Sequence, residues 1–235
     1  MIPLIKYPNT SERIPSSGRV VTVRRMLAAE EKKILMARES NDSVEIVRAV
    51  REVVSDCLGN DDHDLTTFDV DYLFVKILAS SVNNVIERTY RDNEDGETRT
   101  FTIDLSDVRC SIPSFEPTRV VLSDVDETTL VLGWPPASLL TDSEFVASKG
   151  EIVARILVSE CMRSIERKGS ATDVSAAPRE EKMSWLETLK VSDWNAVRDH
   201  LASIPTIKYE IKYENSKGTP RSIVLSGLQD FFELR

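Results

Sequence analysis

Cysteine is scarce in this 235-residue chain: Cys57, Cys110 and Cys161 are far apart and odd in number. That argues against a disulfide framework and for a reducing compartment, with each thiol expected to be a small buried apolar side chain. Histidine is scarcer still. Only His63 and His200 occur, and no cysteine has a neighbouring ligand at zinc spacing, so no metal site is expected. No apolar run approaches the roughly 18 to 20 residues that cross a bilayer. The opening MIPLIKYPNT lacks a signal peptide's basic start and apolar core. A soluble intracellular product is therefore expected. Positive charge is also short: 30 Lys and Arg against 39 Asp and Glu leave a net charge of -9, with no segregated basic surface. A phosphate backbone would be repelled, so no nucleic-acid partner is expected.

What is present suits a globular protein. At 41% hydrophobic and 29% charged, the chain has enough apolar side chains for a real core. Its most continuously apolar helical stretch is TTFDVDYLFVKILASSV, Thr66 to Val82. Thr66 can cap the start with Asp69 three residues on, and apolar residues around most of the girth predict a buried helix.

The rest reads as packing onto it. Met1 to Gly18, with Pro3, Pro8 and Pro15, is expected as an extended arm ending in a turn. A short strand at Arg19 to Arg25 precedes a helix containing AAEEKKILMAR, with Leu27, Ile34 and Leu35 apolar. A second helix is capped by Asp42, striped by Ile46, Val50, Val53, Val54 and Cys57, and stopped by Gly59 and Asn60. Three hairpins follow from alternation and turn residues: around DNEDG after Val85, around SDVDE after Arg119, and around ENSKGTP near the end. Between the last two, Glu151 to Ile165 reads as an amphipathic helix, and Lys168 to Lys182 as a mobile loop. Helices are then expected at Glu181 to Leu189 and, capped by Ser192, to about Ser203, and the chain ends in an apolar turn at Leu228, Phe231 and Phe232.

One internal echo stands out. Gly96-x-x-Arg99-x-Phe101-x-Ile103 matches Gly218-x-x-Arg221-x-Ile223-x-Leu225, each preceded by a strand ending in Tyr90 or Tyr213. The shared pattern is short, and amphipathic hairpins resemble one another.

Enzymatic chemistry has one candidate. VVLSDVDETTL places Asp124 and Asp126 after an apolar strand, resembling the first motif of haloacid-dehalogenase-like phosphatases, where the pair would serve as nucleophile and acid/base beside magnesium. That chemistry needs a parallel strand delivering both carboxylates to its carboxyl end, and the remaining motifs are missing. Turn aspartates are the ordinary reading. DNEDGE lacks the later glutamate of a calcium loop. Nucleophilic catalysis would need a histidine beside a serine or cysteine, which sequence cannot place.

The order of these pieces resembles a known family. The PSSG turn, VTVRR, EEKKILMARES, TFDVDYLFVKILASSV, a hairpin, and a terminal hairpin ending LSGLQDFF are together similar to T-even-like bacteriophage baseplate hub proteins, from about Ile14 to Phe232. The resemblance implies a non-enzymatic tail protein, a hub subunit or hub assembly factor, binding other phage hub and tail proteins in the host cytoplasm and in the virion. It also implies paired cysteines at the hairpin turns, a zinc-ribbon-like clip. This chain departs there: around Asp92 to Gly96 and Glu214 to Gly218 there is none, so Asn93, Asn215 and the two glycines are expected to close the turns unaided. No metal, cofactor or catalytic residue is carried over.

The expected fold is α+β, a helical core around residues 66–82 with antiparallel hairpins alongside. A division into 1–112 and 113–235 is expected, or one continuous domain. The proline-rich arm and the Lys168 to Lys182 loop are the segments expected to order on a partner.

Overall fold

The computed structural model describes residues 7–81, 84–110, 115–123 and 126–232. It is α+β, with antiparallel strands throughout. Contacts group the chain into two compact units. Unit 1 is Met1–His63, Phe68–Ser111 and Thr206–Arg235; unit 2 is Asp64–Thr67 and Ile112–Pro205.

Unit 1 opens on a hairpin. β1 (Thr10–Arg13) and β2 (Val20–Val23) pair antiparallel across the PSSG turn. Of the stretch expected as an extended arm, residues 1–6 lie outside the described residues, and from Thr10 the chain is a strand paired with β2. Prolines forbid a helix and still permit an edge strand's flank. Ile14, Val21 and Val23 are buried. The turn is held by Asp69, a fully buried carboxylate that accepts from Ser16 N at 2.9 Å and Ser16 Oγ at 2.6 Å.

α1 (Ala28–Glu39) and α2 (Ser43–Leu58) form a helical pair. Asp42 caps α2 by accepting from Val44 N at 2.8 Å, and Gly59 ends it at φ +63°, where a side chain would be strained. The predicted stripe of α2 is buried throughout. α1 differs from expectation. It buries Glu30 and Ala37, while Leu35 and Met36 are 49% and 59% exposed and Leu27 just before it is 43% exposed. Glu30 is buried because it is used: it accepts from Leu27 N at 2.7 Å and Arg24 Nη2 at 2.8 Å.

α3 (Thr67–Ser81) is the expected central helix, and its expected last residue, Val82, lies outside the described residues. Phe68, Leu73, Phe74, Val75 and Ile77 are each at most 2% exposed. At about 1.5–3 kcal/mol per buried large apolar side chain, these five contribute roughly 10 kcal/mol. β3 (Val85–Arg91) and β4 (Thr98–Asp104) follow as a hairpin, then the two-residue β5 (Arg109–Cys110).

Unit 2 is a four-stranded sheet in the order β6 (Thr118–Ser123), β7 (Thr128–Leu132), β8 (Met162–Arg167), β9 (Ser170–Asp173). α4 (Ser143–Ala147), α5 (Glu151–Cys161), α6 (Arg179–Leu186) and α7 (Val191–Asp199) accompany it. Leu130, Leu132, Val158, Cys161, Met162, Leu186 and Val197 form the core. Arg179 ties three helices together, bonding Asp142 at the cap of α4, Glu144, and Glu160 on α5.

Three expectations are corrected here. The helix from Glu151 ends at Cys161, and Ile165 lies on β8 opposite Leu130. Residues 168–182 already have structure of their own: Lys168 and Gly169, at φ +49° and +78°, make a two-residue turn into β9, and α6 starts at Arg179. The next helix starts at Val191 with Lys190 at its cap, while Ser192 Oγ donates to Asp193.

The chain then returns to unit 1. β10 (Ile207–Glu214) pairs with β11 (Pro220–Ser226) on one side and β5 on the other, placing Ile207 opposite Cys110. α8 (Gly227–Phe232) closes the fold with Leu228 and Phe231 buried. Arg88 on β3 donates to the Phe231 carbonyl.

Candidate functional site

The densest polar arrangement lies where the turn of the β3/β4 hairpin meets that of the β10/β11 hairpin. Each turn is built alike. Tyr90 stands opposite Arg99, and Tyr213 opposite Arg221. Asp92 and Asn215 open the turns, each buried, and each side chain accepts the N–H two residues on, from Glu94 at 2.8 Å and Lys217 at 3.0 Å. Gly96 N and Gly218 N donate back to the Asp92 and Asn215 carbonyls, at φ +77° and +75°. The echo in sequence is thus an echo in backbone, despite one extra residue in the first turn.

Across the seam the roles are one-sided. Tyr213 OH donates to Asp92 Oδ2 at 2.8 Å, Asn215 Nδ2 to Glu94 Oε2 at 2.7 Å, and Lys217 Nζ to the Glu94 carbonyl at 2.7 Å. Ser216 gives both N and Oγ to Asp95 Oδ2 at 3.0 Å. Arg221 lies 3.4 Å from Asp92. Each of these donors is on the C-terminal hairpin and each of their acceptors on the first. Below, Arg99 sits over the Tyr213 ring at 5.6 Å and Phe101 packs on that ring at 5.0 Å. The Arg99 guanidinium holds the Asp95 carboxyl far below the usual carboxylate range, and the Glu94 N–H followed by the Tyr213 hydroxyl lowers Asp92.

The enzymatic candidates are the Asp124 and Asp126 pair and the two histidines. Asp124 lies outside the described residues. Asp126 accepts from Thr128 Oγ1 at 2.7 Å and pairs with Arg167 at 2.6 Å, at a turn between antiparallel strands. A parallel strand's carboxyl end, which phosphoryl transfer on this pattern requires, is not what β6 provides. His200 does have a serine beside it: Ser203 Oγ is 3.3 Å from Nδ1, but donates at 2.6 Å to the His200 carbonyl. His200 Nε2 meets the Gly133 carbonyl at 3.0 Å, the ring stacks on Trp134 at 5.2 Å, and burial lowers its pKa. This is a histidine settled into a core. His63 takes part in holding Arg19, whose guanidinium donates to the His63 carbonyl at 3.0 Å.

Burial pushes the thiols of Cys57, Cys110 and Cys161 up to about 11, 12 and 12, the behaviour of packing residues. Among the described residues no group of His, Cys, Asp and Glu could hold a metal ion, and no helix is long and apolar enough to cross a membrane. Between α1 and α2 lies a groove of about 320 Å³ lined by Lys33, Met36, Ala37, Arg48 and Ala49, among others.

Comparison with curated proteins and with solved structures returned no match. A family model described as T4 bacteriophage base plate protein matches residues 7–233, from before β1 to past the end of α8. With nearly its whole length matched, the chain belongs to the T4 bacteriophage base plate protein family and is a baseplate protein of a phage tail.

Proposed function

We propose that the chain acts in the central hub of the baseplate, as a hub subunit or a hub assembly factor, through contacts with other hub and tail proteins and without catalysis. The observation that carries this reading is the near full-length family match. Support for contacts comes from α1 and its start, which leave Leu27, Leu35 and Met36 to solvent in a helix covered on one side by α2. A net charge of -9 fits partners that are not nucleic acid. The protein would act in the host cytoplasm during assembly and reside in the tail if it stays.

Quantitative mass spectrometry of purified virions beside assembly intermediates tests this. A fixed copy number in both supports a hub subunit. Presence only in intermediates supports an assembly factor, and absence from both overturns the proposal.

A further inference from the structure

We infer that the two hairpin turns form a metal-free clip that closes unit 1, joining by direct hydrogen bonds and ion pairs the positions where a zinc-ribbon-like clip would place an ion. The side chains do not fit an ion. Asp92 Oδ1 is taken by Glu94 N and Oδ2 by Tyr213. Asp95 Oδ1 is taken by Glu97 N and Arg99, and Oδ2 by Ser216 and Arg99. Glu94 Oε2 meets Asn215, and Asn215 Oδ1 meets both Lys217 N and Thr219 N. Lys217, Arg99 and Arg221 already supply positive charge at the seam. A dication would have to displace these donors and sit beside three cations. Soft thiolate ligands, which favour zinc, are absent from both turns.

The contacts also exceed those of two loops touching at a surface. Asp92 and Asn215 are 4% and 5% exposed, and the Asp95 side chain 2%. Desolvated carboxylates are costly unless their oxygens are satisfied, so a seam this well paired is specific. Each turn is fixed in advance by its own side-chain bond and its positive-φ glycine, so little ordering is left when they meet. The clip links residues 92–95 to 213–221 and so ties the return segment of unit 1 to its first part.

The test uses the full chain. Metal analysis of the purified protein should find no stoichiometric zinc, and EDTA or added zinc chloride should leave the thermal midpoint unchanged. Asp92→Ala and Tyr213→Phe should each lower that midpoint, and the double variant should fall short of their sum, because each removes the same bond. In hydrogen exchange, Asp95→Ala should deprotect the Ser216 amide. Stoichiometric zinc, a midpoint that drops with EDTA, or strictly additive variants would overturn the inference. The metal and chelator arms need no variant to fold.

Discussion

Removing the carboxylate of Asp69 should loosen the N-terminal hairpin, and the structure sets the size of the effect. Asp69 is fully buried and accepts two bonds from Ser16, at 2.9 and 2.6 Å. A hydrogen bond to a charged group contributes about 1.5–3 kcal/mol, so Asp69→Ala should cost roughly 3–6 kcal/mol and leave the Ser16 N–H without that acceptor. Ser16→Ala loses only the hydroxyl bond and should cost about 1.5–3 kcal/mol. The double variant should be no worse than Asp69→Ala, since the hydroxyl then has no carboxylate to reach. For a chain of this size, 1 kcal/mol moves Tm by about 2–4 °C, so Asp69→Ala should lower Tm by roughly 6–24 °C. Urea unfolding followed by far-UV circular dichroism measures the three differences. Trp134, Trp185 and Trp194 all lie in unit 2, so their fluorescence gives a second probe remote in sequence from the change. A cost under about 1 kcal/mol for Asp69→Ala, or two single effects that simply add, would refute the reasoning.

Other outcomes follow from single features. Burial pushes the Asp71 carboxyl from 3.8 up to about 7. The unfolded chain therefore ionises first, and stability should decline as pH rises from about 4 to 7; Asp71→Asn should flatten that decline and gain about 2–4 kcal/mol at alkaline pH, and an unchanged pH profile would contradict it. Asp92 and Asp95 are shifted the other way, so their contribution is present above the ordinary carboxylate range and lost below about pH 4. Below about pH 4 the thermal midpoint should fall, and less steeply in Asp92→Asn. Leu35→Lys with Met36→Lys, on the exposed side of α1, should change stability by less than about 0.5 kcal/mol yet, on the function proposed above, abolish co-purification with other baseplate proteins; retained capture would remove α1 from the contact surface. Leu73→Ala, at 0% exposure, should cost about 2–5 kcal/mol in chemical denaturation.

Much of the architecture is legible in local pattern, and the misreadings share a cause. α2 was readable because Asp42, the 46–57 stripe and Gly59 all agree. The hairpins declared themselves through alternation and turn residues. From Glu151 the helical spacing runs on past Cys161 to Ile165 with no glycine or proline between; pairing of β8 with β7 decides the boundary, and that pairing is tertiary. Residues 168–182 carry little local signal because β9 is short and made of small and polar residues, with Lys168 in a positive-φ position that sequence rarely advertises. Leu35 on α1 and Leu27 just before it are apolar, yet neither is buried; the side of α1 that packs inward bears Glu30 and Ala37. The Tyr and Arg echo pointed to the clip, but not to the meeting of its halves, which lie 121 residues apart.

That separation matters while the chain is being made. Because Ile207 pairs with Cys110, the rung that completes the β5/β10 ladder waits until the intervening segment has been translated. At about 5–20 residues per second, the stretch 112–205 occupies the ribosome for roughly 5–20 s. During that interval unit 1 lacks Ile211, Leu225 and Phe231, which are buried in the finished fold. Nascent chains of this protein should therefore be clients of ribosome-associated chaperones until β10, β11 and α8 emerge, and synonymous codons that slow elongation between 112 and 205 should lower its soluble yield.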